Sequence, residues 1–409
     1  MKSFIIFFSL IVTVFVYSCK SGNSDVNLDK YLDFSLQQVL QTLNSQGDIE
    51  GLPRYIKPGE TGWTTTPITG WTSGFWPGIL WYLYEYSGDA HIKEQAYSWT
   101  NVLNGLKEWK TKDHDLGFMV FCSYGNGYRL AGDPDFKSFI LDIADTLTTL
   151  YNPNAGTILS WPGRQNIGNI HVSGAVNHNT IMDNMMNLEM LFWAAKHGDN
   201  QNLYDIAVQH ARQTKRDFLR DDYSSYHVVI YDSITGEVGH KITHQGYSDD
   251  SMWARGQAWG IYGFAIAYRE TGYPEFLETA KNMAHIYIKR LPEDLVPYWD
   301  FDDPRIPDVE RDASAAAITA SALLEIASLV EDTNESEWYR NTAINMLGSL
   351  GENYLSDGTN HAVLCHSVGN KNRNSEVGVP IIYADYYFIE ALLKARRSNR
   401  LFRVYANQQ

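Results

Sequence analysis

Apolar and polar positions recur along the chain in six similar segments, and each segment predicts a pair of helices. The first helix of a pair is apolar on nearly every side, as in residues 188–195, which is typical of a buried helix. A short turn containing Gly, Asp or Asn follows it. The second helix has one apolar face, which includes Ala207, Ala211 and Thr214 in the third segment, so we expect it on the outside.

These six helix pairs predict the fold. The apolar helices are expected to begin at Phe75, Phe118, Ile181, Trp253, Asp312 and Val379. Five are followed directly by their amphipathic partner, and the sixth is expected to pair with residues 28–43. Six inner helices surrounded by six outer helices form an (α/α)₆ barrel, so we predict an all-α chain with one barrel domain over residues 28–409. Short strands are expected near 226–231 and 295–299, and an open solenoid is the structural alternative.

The N-terminus predicts export rather than a part of the barrel. Lys2 is followed by an apolar run over residues 4–16, which is too short to span a membrane and is typical of a signal peptide. The run ends at Ser18 and Cys19, as in bacterial lipoprotein signals. We therefore expect a signal peptide over 1–18, a lipidated Cys19, a linker over 19–27, and a location in the periplasm or at the outer membrane of a Gram-negative bacterium. A plain secretory signal is the alternative, and a lipid anchor would be the only link to a membrane.

Composition excludes several classes of function. The formal net charge of the 409 residues is −15, which argues against nucleic-acid binding. A few local Arg or Lys side chains can still bind a small anionic oligosaccharide. The 12 Trp, 26 Tyr and 17 Phe residues are numerous enough to supply both a core and a sugar-binding cleft. Cys122 and Cys365 form no zinc motif, and the histidines lack metal-ligand spacing, so we expect neither a metal nor a cofactor.

Residue types suited to catalysis are concentrated in the loops that lead into the inner helices, where a rigid scaffold positions functional side chains. At these loops the sequence resembles glycoside hydrolase family 88, the unsaturated glucuronyl hydrolases. The resemblance rests on residues 71–85, 114–118, 182–193, 245–262, 296–324 and 376–393, and it spans almost the whole chain after the signal peptide.

The resemblance implies a reaction. Family 88 enzymes remove the terminal 4,5-unsaturated uronic acid that a lyase leaves on a polysaccharide fragment. A carboxylic acid protonates C4, water adds at C5, and the resulting hemiketal opens and expels the remaining sugar. The resemblance makes Asp183 the general acid and base and Asp115 a second carboxylate that positions the substrate and tunes Asp183. Without it, Asp183 would be interpreted as a helix N-cap and Asp115 as a cap or turn residue.

The resemblance also implies residues that contact the sugar or the attacking water. His114, His227 and Gln245 would form hydrogen bonds, and Arg255 would bind the uronate carboxylate through its forked guanidinium. The predicted substrate-binding set is completed by Trp71, Trp161, Trp253, Trp259, Ser367 and Lys371. From the residues alone, each Trp would be assigned to core packing, and the loop that contains Lys371 and Arg373 to a solvated surface. Arg311, Asp312, Glu376, Tyr383 and Asp385 are expected to be architectural.

Three other functions are considered. The first is the related unsaturated rhamnogalacturonyl hydrolases of family 105, which act on pectin fragments, but segments 114–118 and 253–259 favour family 88. The second is a non-catalytic sugar-binding lipoprotein, which has no need of both Asp115 and Asp183. The third is a sugar epimerase of the same barrel type, which would require paired histidines late in the chain. His361 and His366 occur there without the surrounding pattern.

Overall fold

The computed structural model describes residues 26–45, 51–109 and 112–406. The predicted signal peptide, Cys19 and all but the last two residues of the predicted linker lie outside these ranges. Within them, no helix is both long enough and apolar enough to cross a membrane.

Helices form most of the described chain. They are α1 (Leu28–Ser45), α2 (Phe75–Ser87), α3 (Ala90–Val102), α4 (Leu116–Val120), α5 (Asn126–Ala131), α6 (Pro134–Thr148), α7 (Asn184–Gly198), α8 (Gln201–Phe218), α9 (Ala254–Thr271), α10 (Pro274–Lys289), α11 (Ala313–Leu329), α12 (Thr333–Asn353) and α13 (Ile382–Ala406). Two 3₁₀ turns, Leu103–Glu108 and Lys371–Arg373, and one π-helical turn, Phe121–Gly125, complete the helical elements.

The inner helices form a closed ring, which confirms the barrel and excludes the open solenoid. In ring order the inner positions are α2, the composite helix α4–π-turn–α5, α7, α9, α11 and α13. Each contacts the next, and α13 contacts α2. The outer helices α3, α6, α8, α10 and α12 pack on the inner helix that precedes each of them, while α1 packs on α13. The predicted N-terminal partner of the sixth inner helix is therefore correct.

Close packing inside the ring depends on small residues. On α9, a Cβ atom added at Gly263 would lie 2.3 Å from the Cβ of Met185 on α7, so only glycine permits this approach of the two helices. Ala315, Ala316 and Ala317 on α11 are fully buried in the same way. Because these small side chains let neighbouring helices lie close together, the interior is dense and holds the N-terminal ends of the inner helices in fixed positions.

Short strands lie on the loops. They are β1 (Leu52–Tyr55), β2 (Thr64–Thr66), β3 (Tyr151–Asn152), β4 (Thr157–Ile158), β5 (Asn166–Ile167), β6 (Ile170–His171), β7 (Val176–Ile181), β8 (Val228–Asp232), β9 (Val238–Ile242), β10 (Ser367–Asn370) and β11 (Ser375–Val379). The largest sheet has the antiparallel order β7-β8-β9, and the other sheets are two-stranded pairs.

Two details differ from the sequence-based prediction. The strand expected near 226–231 exists as β8, but 295–299 contributes only one isolated bridge, from Tyr298 to Arg311. The third inner helix begins at Asn184 rather than at Ile181, because Val176–Ile181 pairs with β8. Polar side chains at His178, Asn179 and Thr180 are buried in this strand, which hides the usual alternation of apolar and polar positions.

Candidate active site

A cavity of about 260 Å³, here named the upper cavity, opens at the end of the barrel where the inner helices begin. Asp115 and Asp183 directly precede α4 and α7, Arg255 lies in the first turn of α9, and Tyr383 lies in the first turn of α13. The upper cavity is lined by Arg54, Trp71, His114, Asp115, Trp161, Arg164, Ile181, Asp183, His244, Gln245, Arg255, Gly369, Asn370, Arg373, Ser375, Glu376 and Tyr383.

Asp183 is not a helix cap. Its side chain makes no capping hydrogen bond to α7, and its Oδ2 atom is buried without a hydrogen-bond partner. Burial raises the pKa of Asp183 to about 6, against the opposing influence of the Arg255 charge and the Trp259 indole. A carboxyl group that faces a cavity, has one oxygen without a hydrogen-bond partner and keeps its proton up to about pH 6 is suited to donate that proton.

Asp115 also lacks a capping bond, and its pKa is raised well above the usual range. Burial is the largest cause, followed by repulsion from Asp113 and Asp183. Asp183 therefore contributes to the raised pKa of Asp115, and the expected tuning of Asp183 by Asp115 stays a prediction.

Two buried histidines face these carboxyl groups as neutral hydrogen-bond donors. The Nδ1 atom of His227 accepts the backbone N–H groups of His244 and Gln245, both at 3.2 Å, so the ring proton lies on Nε2. This Nε2 atom is 3.8 Å from Oδ2 of Asp183. In His114, Nδ1 lies 3.4 Å from the amide nitrogen of Asn187, and Nε2 lies 3.5 Å from Oδ2 of Asp115. Burial lowers the pKa of both imidazoles, that of His114 to about 3.

Arg255 is buried, and protein groups already engage much of its guanidinium. Its Nη1 donates to Asp312 at 3.1 Å and to the carbonyl of Val368, and its Nη2 donates to the carbonyl of Gly369 at 2.7 Å. Its positive charge nevertheless lowers the pKa of Asp183. The geometry therefore gives Arg255 a second task beside the predicted contact with the uronate, which is to hold the β10 loop against the upper cavity.

The structure divides the other predicted substrate-binding residues into two groups. Trp71, Trp161 and Gln245 line the upper cavity with His114 and Arg255. His227, Trp253, Trp259 and Ser367 are buried behind its wall, and the ring of Trp253 lies 4.4 Å from that of His227. Lys371 is paired with Glu310 and does not line the cavity. Each side chain of this second group is enclosed or already paired, and its direct contact with the sugar stays a prediction.

Sequence reasoning missed several residues that line the upper cavity. Glu376 accepts a hydrogen bond from Nε of Arg54 at 2.6 Å, and Tyr383 lies 5.0 Å from the Trp71 ring, although both were expected to be only architectural. Arg164 lies over Trp161 at 4.2 Å. Burial and the charge of Arg373 lower the pKa of Arg164, so the two guanidinium groups repel each other. Arg54 and Arg164 lie outside the segments of family resemblance, which is why no motif identified them.

Other expected architectural roles are seen. Asp312 caps α11 by accepting the N–H groups of Ser314 and Ala315, but its ionic partner is Arg255, whereas Arg311 pairs with Asp294. Asp385 accepts the N–H groups of Val363 and Leu364. Across the described ranges, no group of three or more His, Cys, Asp or Glu side chains is arranged to hold a metal ion.

Comparison with known proteins gives a consistent result. The family model described as Glycosyl Hydrolase Family 88 matches residues 52–388. An unsaturated glucuronyl hydrolase of Formosa agariphila is 44% identical over 334 residues, which is 80% of each chain. An unsaturated chondroitin disaccharide hydrolase of Streptococcus pyogenes is 32% identical over 91% of this chain and 92% of its own. The crystal structure of an unsaturated glucuronyl hydrolase specific for heparin superimposes with a TM-score of 0.84 at 37% identity, covering 91% of this chain and 98% of that one.

Proposed function

Since this chain belongs to glycoside hydrolase family 88, it is a glycoside hydrolase, and we propose that it removes the terminal 4,5-unsaturated uronic acid from lyase-generated glycosaminoglycan oligosaccharides, with Asp183 as the general acid and base. The observation that carries the assignment to Asp183 is its placement: a buried carboxyl group that faces the upper cavity, with no hydrogen-bond partner at Oδ2 and a pKa raised to about 6.

The first step needs one acid placed beside the double bond. Asp183 donates its proton to C4, and positive charge develops at C5, where the ring oxygen stabilises it. A water molecule adds to C5 and gives its proton to the Asp183 carboxylate, so the acid is regenerated. The C5 hemiketal then opens to a ketone and leaves a hemiacetal at C1, which collapses to an aldehyde and releases the neighbouring sugar. One water molecule is consumed, and the proton balance at Asp183 closes over the cycle.

The attacking water needs hydrogen-bonding groups that do not compete for the proton. His227 is suited to this task because its Nδ1 is occupied by two backbone donors, which leaves a neutral Nε2–H group 3.8 Å from Asp183. Gln245, whose backbone N–H donates to this imidazole, lines the upper cavity, and its amide nitrogen donates to the carbonyl of Gly369 at 3.0 Å, which leaves the side-chain oxygen available. We therefore assign the orientation of water to His227 and Gln245, with Asp183 as its base.

The sugar rings are assigned to the aromatic walls of the upper cavity. Trp71 and Tyr383 form one wall, with ring centroids 5.0 Å apart, and Trp161 forms another wall beside His114. A partly buried ring can pack on the apolar face of a sugar while its neighbours contact the hydroxyl groups. Asp115 and His114 are adjacent and both line the cavity, so they are assigned to hydrogen bonds with the unsaturated ring.

The names of the similar proteins support the substrate class. One is described as specific for heparin and another as a chondroitin disaccharide hydrolase, and both substrates are glycosaminoglycans. The decisive experiment compares kcat/KM for unsaturated disaccharides prepared with lyases from heparin, chondroitin, hyaluronan and pectin, by following the ultraviolet absorbance of the conjugated double bond. Preference for one of the first three supports the proposal. Preference for the pectin product would favour the activity of family 105.

We expect kcat/KM to decrease as the pH rises through about 6. Asp183 must be protonated to act on C4, and its pKa is raised to about 6 by burial. Above that value, each further pH unit should lower the rate about tenfold. The measurement is a pH–rate profile from pH 4 to 9 with the preferred disaccharide. A rate that stays constant from pH 6 to pH 9 would contradict the assignment of Asp183 as the acid.

The Arg164 and Arg373 side chains are expected to hold a sulfate group on the substrate. Arg54 is paired with Glu376 and Arg255 with Asp312, whereas no carboxylate within ion-pair distance is seen for Arg164 or Arg373 in the described part of the chain. Arg164→Ala or Arg373→Ala should raise KM for sulfated disaccharides about tenfold with little change in kcat. Arg212→Ala, at an exposed ion pair on α8, is the matched control. Equal effects on sulfated and unsulfated substrates would refute this role.

Export and lipidation are part of the proposal. The motif at Ser18 and Cys19 supports cleavage before Cys19 and anchoring of the mature enzyme through that residue. When the full chain is expressed in a Gram-negative host that is fed labelled palmitate, the protein should carry the label and sediment with membranes. The Cys19→Ala variant should do neither. A wild-type protein that is secreted without label would indicate the plain secretory signal instead.

A further inference from the structure

The barrel contains a second cavity, here named the lower cavity, at the end opposite the upper cavity. Its volume is about 540 Å³, compared with about 260 Å³ for the upper cavity. The C-terminal parts of the inner helices line it, and α7 passes both cavities: Asp183 precedes its first turn, while Glu189 and Trp193 face the lower cavity. No step of the proposed reaction uses this space.

Three aromatic rings separate the two cavities. The ring centroids of Phe118 and Trp259 are 5.1 Å apart, and those of Trp259 and Tyr387 are 5.2 Å apart. The indole of Trp259 lowers the pKa of Asp183 at the upper cavity, whereas Phe118 and Tyr387 line the lower cavity. Because these large side chains are buried and in contact, the lower cavity is a separate compartment rather than an extension of the active site.

Most charged groups of the lower cavity are already engaged in ion pairs. Arg269 pairs with Glu189 at 2.5 Å and with Glu325 at 2.9 Å, and Lys394 pairs with Glu325 at 2.7 Å. Arg129 pairs with Glu85 at 2.8 Å, and Arg397 pairs with the same carboxylate. A uronate or sulfate would have to break one of these pairs, so the lining favours an uncharged ligand.

Hydrogen-bonding and aromatic groups are nevertheless available there. The carboxylate of Glu390 is fixed by the hydroxyl groups of Tyr82, Tyr262 and Ser321 at 2.8, 3.0 and 2.5 Å, and the residue remains partly exposed. It therefore presents an oriented acceptor for a ligand hydroxyl. Half-buried rings of Phe121, Tyr128 and Trp193 also line the cavity, and those of Tyr128 and Trp193 lie 5.3 Å apart.

An irregularity of the backbone faces the same space. The second inner helix changes to a π-helical turn at Phe121–Gly125, and Phe121, Cys122 and Gly125 of this turn line the lower cavity. The amide of Asn126 donates to the carbonyl of Cys122 at 3.0 Å and to the hydroxyl of Tyr386 at 3.2 Å, which stabilises the distorted turn. Such turns are costly and occur frequently at functional sites.

We propose that the lower cavity is a second ligand site, which binds an uncharged saccharide of one or two rings. The aromatic side chains pack on the apolar faces of the sugar, and Glu390 accepts one of its hydroxyl groups. The volume lies within the range of roughly 300–1,000 Å³ that is usual for small-molecule sites with mostly apolar walls and few polar groups. This site is independent of the proposed reaction, because it takes a neutral ligand in a different compartment.

The test uses N-acetylglucosamine and glucose as probes, with saturation-transfer NMR on the mature enzyme. Wild type should transfer saturation to at least one probe, and Trp193→Ala should weaken binding at least tenfold. Trp193→Phe keeps an aromatic ring and should retain most of the probe binding. This result would show that the weaker binding of Trp193→Ala does not reflect misfolding. Trp338→Ala is the control for an exposed Trp on α12, and Trp71→Ala is the control for the upper cavity. Both controls should bind like wild type.

Two outcomes would overturn the proposal: no transfer from wild type to either probe, or binding that Trp71→Ala abolishes and Trp193→Ala leaves intact. Turnover of unsaturated disaccharides is measured on the same variants and should be unchanged in Trp193→Ala. The two proposals are therefore tested separately. Failure of the second site would appear only in the probe-binding experiment, and failure of the proposed reaction would appear only in the assay of disaccharide turnover.

Discussion

Asp183→Asn is expected to lower kcat by roughly 10³- to 10⁴-fold while leaving the substrate bound and the barrel folded. An amide has nearly the shape of the carboxyl group but cannot protonate C4. Because Oδ2 of Asp183 has no hydrogen-bond partner in the described residues, the substitution breaks no structural bond there. The measurement is the decrease in ultraviolet absorbance of an unsaturated disaccharide, together with its dissociation constant from calorimetry.

The same substitution should not destabilise the protein. Burial raises the pKa of Asp183 from 3.8 to about 6, so the folded protein binds this proton more tightly than the unfolded chain does. Stability from this group is present below about pH 4 and decreases as the pH rises towards 6. At pH 7 the buried charge costs on the order of 2–3 kcal/mol, which the neutral amide avoids. If Asp183→Asn has a higher free energy of unfolding than wild type and has lost activity, the Asp183 carboxylate serves function rather than stability.

Asp113→Asn is the matched control for this prediction. Asp113 is half-buried with a pKa that desolvation also raises to about 6, but it does not line the upper cavity. Its Oδ1 atom accepts the N–H group of Asp115 at 3.0 Å, a bond that an asparagine oxygen can keep. Its variant should therefore retain most of the activity. Comparable losses in both variants would mean that the general electrostatics of the carboxyl cluster, and not proton donation by Asp183, control the rate.

Asp312→Ala is expected to produce the largest loss of stability, about 3–5 kcal/mol in the free energy of unfolding. Asp312 is fully buried, and one carboxylate oxygen accepts two N–H groups at the start of α11 while the other accepts Nη1 of Arg255 at 3.1 Å. Its removal leaves the buried guanidinium of Arg255 without its ion-pair partner. Activity should fall as well, because Arg255 holds the β10 loop at the upper cavity.

Asp332→Ala separates the two contributions of Asp312. Asp332 caps α12 by accepting the N–H of Glu335 at 2.8 Å, but it is exposed and has no ion pair in the described part of the molecule. Loss of this cap alone should cost about 1 kcal/mol. Urea denaturation at pH 7 compares the two variants with wild type. If Asp312→Ala and Asp332→Ala were equally destabilising, the Arg255–Asp312 pair would contribute nothing beyond helix capping.

The sequence was sufficient for the barrel because the two kinds of helix differ strongly in pattern. Inner helices such as α11 are apolar on all sides, outer helices such as α8 have one apolar face, and turns at Gly88, Gly132 and Gly272 separate the pairs. β7 was not identified because its buried side chains are polar. His178 bonds to Thr157 and Asn179 to the backbone of Trp161, which are contacts that only the folded chain provides.

The sequence predicted only part of the site, because a motif identifies a residue but does not show its contacts in the folded chain. Motifs on the chain located Asp115 and Asp183 at helix starts, but they could not show that neither side chain caps its helix. Arg164 reaches the upper cavity from the loop between β4 and β5, and Arg54 reaches it from β1, so their proximity depends on tertiary structure. Conversely, the pairing of Lys371 with Glu310 gives this lysine an internal partner that its loop sequence does not reveal.

The central claim is that the enzyme hydrates the C4–C5 double bond and does not displace the leaving sugar at the anomeric carbon. It is tested most directly with an unsaturated glucuronide whose glycosidic oxygen is replaced by a methylene group, so that no sugar can be expelled from C1. The account predicts that wild type removes the absorbance of this double bond, that one water is added at C5, and that Asp183→Asn does neither. If the analogue binds but keeps its double bond while the natural substrate is cleaved, catalysis begins at the anomeric carbon and the account is wrong.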